Sequence, residues 1–151
     1  MPRILLVDDD KEHLKLFTLI IENRGYSLDT YSDPAAALLK FKPNYYDLLL
    51  LDYRMPNLNG LELYARMREI DPTTKTLLLT ANHEQFNEGK QVEGQHYLKV
   101  ITIPISNEKL LAEVESVLNQ SVTSLVGLEN HVGNHQNLLL IVPENGKVKS
   151  P

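Results

Sequence analysis

The sequence predicts an α/β fold: a five-stranded parallel sheet covered by helices on both faces. Three observations point there. Between residues 3 and 119 a short apolar run is followed by an amphipathic stretch five times over. The apolar runs, "LLLL" at 48–51 above all, lack the alternation of a strand with one wet face and read as strands buried on both sides. Cap and turn residues fall at the junctions, so each repeat is a βα unit and the crossovers share one hand.

The first unit is "RILLVD" followed by "KEHLKLFTLIIENRG", where Leu14, Phe17 and Ile21 share a helical face and Gly25 suits a C-terminal cap. In the second, "YSLDTY" leads to "PAAALLKFK", with Asp33 as N-cap, Pro34 as first helical residue and Pro43 as the stop. "DLLLLD" is the third strand, and "LELYARMREI" is the helix after its loop. "KTLLLT" is the fourth strand. The helix after it, from about Glu84 to Glu93, has few apolar residues beyond Phe86 and Val92 and is expected to be the least buried. "HYLKVIT" and "NEKLLAEVESVL" close the series, with Leu110, Val114, Val117 and Leu118 on one face.

The length suits one domain plus an extension, placed at residues 1–120 and 121–151. The extension has no recognisable output domain. Asn, Gly, Ser and His dominate it, apart from "NLLLIV" and an Asn145-Gly146 turn signal that suits a hairpin. His131 and His135 have a spacing that a metal on a helix could use, but Gly133 lies between them and no third ligand is near. A solvated tail is the simpler reading.

Fifteen Lys and Arg against 20 Asp and Glu give a net charge of -5, and no basic block could track a phosphate backbone. Direct nucleic-acid binding is therefore not expected. The absence of cysteine excludes disulfides, thiolate metal sites and thiol chemistry. No apolar run has the length of a signal-peptide core or a membrane span, so a cytoplasmic protein with no membrane partner is expected, as a monomer or weak dimer.

In a sheet of this kind ligands bind at the carboxyl ends of the strands. The polar residues there are Asp8 and Asp9 after the first strand, Asp52 after the third and Thr80 after the fourth. Carboxylates crowded at one edge raise one another's pKa unless a cation sits among them. An oxygen-only donor set suits Mg²⁺, which can also neutralise a phosphoryl group on a carboxylate, while Thr80 offers a hydroxyl donor. Taken singly, Asp8, Asp9 and Asp10 could cap the first helix, and Thr80 could be an ordinary β-branched strand residue. Asp52, after four leucines and opposite an acidic pair, is not explained by a cap.

The segments "LLVDDD", "LLLLDYRMPNLNG" and "LLLTA", with the Asp-x-x-Met-Pro-x-x-x-Gly pattern from Asp52 to Gly60, carry a resemblance. Over residues 3 to 119 the chain resembles the CheY-like receiver domains of the two-component response regulator family. The resemblance implies a doubly wound, flavodoxin/CheY-like (βα)5 fold with strand order 2-1-3-4-5. It implies that Asp52 is the phosphoacceptor, charged by a phosphohistidine on a sensor histidine kinase or phosphotransfer protein. Mg²⁺ would be ligated directly by Asp9, Asp52 and the backbone carbonyl of Arg54, and by Asp8 through water. Thr80 and Ala81 would contact the phosphoryl group, with Thr80 moving the neighbouring surface towards a downstream protein partner. Such a domain is not an enzyme with a separate substrate; it assists only its own phosphoryl transfer and dephosphorylation.

One family element is missing. Where the family ends its fifth strand with Lys-Pro, this chain has Ile103-Pro104, and Val100 replaces the usual aromatic three residues earlier. Lys99 lies four residues back, roughly 13 Å along the strand and too far to substitute. A pseudo-receiver that binds partners with weak or no phosphorylation switching is therefore the alternative. A haloacid-dehalogenase-like phosphatase would need a second acid where Arg54 stands, and no cap domain fits the length. A flavodoxin-like cofactor carrier would need a glycine-rich phosphate loop that the sequence lacks.

Overall fold

The computed structural model describes residues 1–81 and 97–119. The helix expected at 84–93 and the extension at 121–151, with its hairpin and its two histidines, lie outside the described residues. In chain order the elements are β1 (Arg3–Val7), α1 (Lys11–Asn23), β2 (Ser27–Tyr31), α2 (Pro34–Lys40), β3 (Leu48–Asp52), α3 (Gly60–Ile70), β4 (Lys75–Thr80), β5 (Leu98–Thr102) and α4 (Asn107–Leu118). All strand pairs are parallel and the sheet order is β2-β1-β3-β4-β5, the doubly wound arrangement expected. Among the described residues no helix is long and apolar enough to cross a membrane.

The period-2 alternation of a strand splits the leucine runs between two cores. On one face Ile4, Leu6, Leu48, Leu50, Leu77 and Leu79 pack with Phe17, Ile20 and Ile21 of α1 and Leu110, Val114 and Val117 of α4. On the other, Leu5, Val7, Leu49, Leu51 and Leu78 pack with Ala37 of α2 and Leu63, Tyr64 and Met67 of α3. Every residue of β3 is buried, which is why this strand needs no polar alternation.

Helix ends follow local chemistry. Asp10 is the N-cap of α1, its carboxylate accepting from the backbone N–H groups of Glu12 and His13. Gly25, with φ 97°, takes the left-handed position after the C-cap Arg24 and donates its N–H to the Glu22 carbonyl. Asp33 and Pro34 start α2 as expected, but the helix stops at Lys40, short of Lys42. Phe41 adopts an extended backbone there and turns into the core, its ring stacked on Tyr46. Asn59 and Glu62 form a reciprocal capping box at the start of α3.

Gly60 opens α3 directly against the end of β3. Its N–H donates to the Tyr53 carbonyl at 2.8 Å. A Cβ at this position would press into the carbonyl oxygen of Asp52 and lie 2.7 Å from Leu78 Cδ1. Neither the backbone nor the fully buried leucine has room to yield. Gly60→Ala should therefore destabilise the fold by about 2–3 kcal/mol, read from urea unfolding. A variant as stable as wild type would mean that the helix shifts away without disturbing β3.

Candidate functional site

Strand register brings the acidic residues together. Val7 of β1 lies beside Leu51 of β3, so the residues that follow, Asp8 and Asp52, are level at the carboxyl edge. Both have the parity of the α1/α4 face. Asp8 is fully buried and Asp52 is 9% exposed, whereas Asp9 is exposed. Carboxylate oxygens of Asp8, Asp9 and Asp52 come within 4.8 Å of one another, a spacing that suits a shared cation.

Asp9 and Asp52 open into a cleft of about 510 Å³ lined also by Asp10, His13, Arg54, Thr80, Ala81 and Ile103, among others, with Asp8 buried behind it. The structure thus gathers Asp9, Asp52, Thr80 and Ile103 around one space. Thr80, 4% exposed, ends β4, and its carbonyl accepts the Ile103 N–H at 2.9 Å, which holds the two strand exits together. A somewhat larger cavity, about 570 Å³, lies at the opposite end of the sheet among Tyr45, Asp47, Asp71 and Lys75, away from the strand-end acids.

The electrostatics differ from the sequence expectation in their leading cause. The Asp52 carboxyl is pushed up to about 7 first by burial, then by the charges of Asp8 and Asp9, with His13 opposing. Asp8 is also raised, again chiefly by burial, while the Asp10 backbone hydrogen bond and His13 pull it down. Repulsion ranks second to burial at Asp52, and at Asp8 it is the smallest of the causes.

Asp10 belongs to the helix rather than to the acid cluster, since its carboxylate is occupied as the N-cap of α1. The sequence reading missed His13. Its Nδ1 lies 3.0 Å from Asp8 Oδ2, and its Nε2 lies 3.6 Å from Asp10 Oδ2. The signal was available, because an N-cap at Asp10 makes His13 the third helical residue, from which a side chain can fold back over the helix start. Lys99 is engaged elsewhere, with its Nζ 2.8 Å from Glu113 of α4.

The sequence model of the response regulator receiver domain matches residues 4–115. The chain belongs to this family, the receiver domains of two-component response regulators. Response regulator ArlR of Staphylococcus saprophyticus is 32% identical over 122 residues, covering 80% of this chain and 54% of ArlR, so the chain spans about half the length of that relative. Response regulator TrrA of Thermotoga maritima, crystallised with Mg²⁺ and BeF, is similar at 28% identity and a TM-score of 0.64, over 78% of this chain and 99% of TrrA. TrrA in complex with the histidine kinase ThkA matches at 28% identity and a TM-score of 0.66, over 79% of this chain and 100% of TrrA.

Burial of Asp52 makes stability depend on pH. In the unfolded chain this carboxyl ionises near its ordinary value of 3.8, but in the fold it ionises only near 7. The fold therefore loses stability as pH rises from about 4 to about 7, and the loss is complete above that. In buffer free of divalent ions, Asp52→Asn should be more stable than wild type at pH 8 by on the order of 2–4 kcal/mol. The gap should close towards pH 4. Urea unfolding at both pH values reads it, and a gap independent of pH would assign the penalty to another group.

Proposed function

We propose that this chain is a phosphoacceptor receiver in which Asp52 takes a phosphoryl group from a phosphohistidine of a sensor histidine kinase or phosphotransfer protein. The observation that carries the reading is the convergence of the Asp8, Asp9 and Asp52 carboxylates beside one cleft, with Asp52 buried at the end of β3 yet lining that cleft. An Asp52 carboxylate oxygen attacks phosphorus as the P–N bond of the donor breaks, leaving an acyl phosphate and a neutral imidazole. Asp9, Asp52 and the backbone carbonyl of Arg54 would hold Mg²⁺ directly, with Asp8 acting through water. A divalent ion there offsets carboxylate charge and polarises the phosphoryl oxygens. Thr80 offers a hydroxyl to those oxygens, and Ala81 leaves room beside it. The crystals of TrrA with Mg²⁺ and BeF, and with ThkA, support both the chemistry and the donor class. The chain's own chemistry is limited to gaining and losing this group, and output passes through a downstream protein partner.

A second reading concerns the strength of the switch. Ile103 lines the cleft and packs against the α1/α4 core, and Lys99 is held by Glu113. A phosphoryl group adds roughly two negative charges to a site with three carboxylates, and no lysine from β5 meets them. The reading is that phosphorylation occurs but is weakly coupled to the partner surface.

Incubation with a small-molecule phosphodonor and Mg²⁺, followed by intact mass, should add one phosphoryl group to wild type and none to Asp52→Asn. Labelling of the variant at the wild-type level would remove Asp52 as acceptor. For the switch, Ile103→Lys should enlarge the NMR shifts at Thr80 and β5 on adding beryllofluoride. A full response in wild type that the lysine does not increase would defeat the weak-coupling reading.

A further inference from the structure

We infer that His13 is a positioning residue for the metal site, fixing the orientation of the Asp8 carboxyl. The inference rests on the metal reading above and extends it to a residue outside the predicted ligand set. Asp8 is fully buried, so its oxygens need partners inside the protein. Two contacts supply them. The Asp10 backbone N–H donates to Asp8 Oδ1 at 2.9 Å, and His13 Nδ1 lies 3.0 Å from Oδ2. A carboxylate only accepts, so the contact places a hydrogen on Nδ1. Each oxygen thus has its own partner, one from backbone and one from a side chain.

The ring itself is well located. It stacks on Phe17, one turn further along α1, with centroids 5.7 Å apart and an interplanar angle of 26°. It also lies at the boundary of two spaces, the acidic cleft and an apolar cleft of about 270 Å³ lined by Leu16, Phe17, Ile103 and Pro104. Asp10 accepts the His13 backbone N–H and so fixes the helix start from which the ring reaches Asp8. Partners that orient the groups around a metal typically raise affinity by about 10- to 100-fold. Such a role is distinct from ligation, because His13 is not among the residues whose donor atoms converge with Asp9 and Asp52.

The test is a calorimetric titration of the full chain with Mg²⁺ alone, on wild type, His13→Phe and His13→Asn. Phenylalanine keeps the ring on Phe17 and removes the nitrogens, whereas asparagine can place an amide donor where Nδ1 was. His13→Phe should bind Mg²⁺ about tenfold more weakly while still melting cooperatively in the absence of the ion. His13→Asn should recover affinity to within about threefold of wild type, a rescue that a purely packing role would not give. Unchanged or tighter binding in His13→Phe, or no recovery in His13→Asn, overturns the inference while leaving the metal reading intact. Wild type that binds no Mg²⁺ overturns both.

Discussion

Two carboxylates, Asp8 and Asp52, are carried to one edge by neighbouring strands whose preceding residues are almost all buried. Neither can move away without shifting a strand locked on both faces by leucines, and a one-residue slip would send those leucines to the opposite faces. The acids are therefore held in an environment that disfavours their charge. In water the same groups would spread apart and ionise freely. The stability of the leucine core is what keeps them poised, and the raised Asp52 pKa is the measure of that constraint.

Neighbouring features can be understood as responses to this arrangement. Asp10 caps α1 two residues beyond Asp8, so the N-cap supplies its own backbone N–H to Asp8 and the first helical turn brings His13 back over it. Gly60 lets α3 begin against the Asp52 carbonyl, which fixes the backbone that carries Asp52. The same close approach explains why glycine stands at the first helical position, inside the Asn59–Glu62 capping box. Helix starts on both sides of β3 thus buttress the strand end.

Much of this was legible in the sequence, for identifiable reasons. "LLLL" at 48–51 cannot be a half-wet strand, and Asp33-Pro34 and Gly25 act locally, so strands and most helix ends follow from short-range rules. Asp8, Asp9 and Asp52 stood out because charge after an apolar run needs a reason. The end of α2 did not follow, since Phe41 leaves the helix for a core contact with Tyr46 that only the tertiary fold provides. His13 was missed because a histidine on an amphipathic helix reads as surface. The balance between burial and repulsion at Asp52 was also out of reach, because it depends on how much protein covers the group rather than on which charges are near.

Ile103 shows how a local substitution changes the meaning of this edge. Its side chain packs against the cluster formed by α1, α4 and the sheet, so the position contributes apolar contact where the family places an ammonium group. The nearest strand lysine cannot compensate, because Lys99 is tied to Glu113 on α4. Among the described residues, the basic side chains at the cleft are then His13, engaged with Asp8, and Arg54, on the loop after Asp52. Charge on Asp52 is opposed by burial and by its acidic neighbours together, so an internal cation that would relieve it independently of solution is absent from β5. It follows that, apart from His13, the ionisation of this edge is governed by what arrives from solvent, a proton or a divalent ion. That makes the resting site more responsive to its ionic surroundings than one carrying its own lysine.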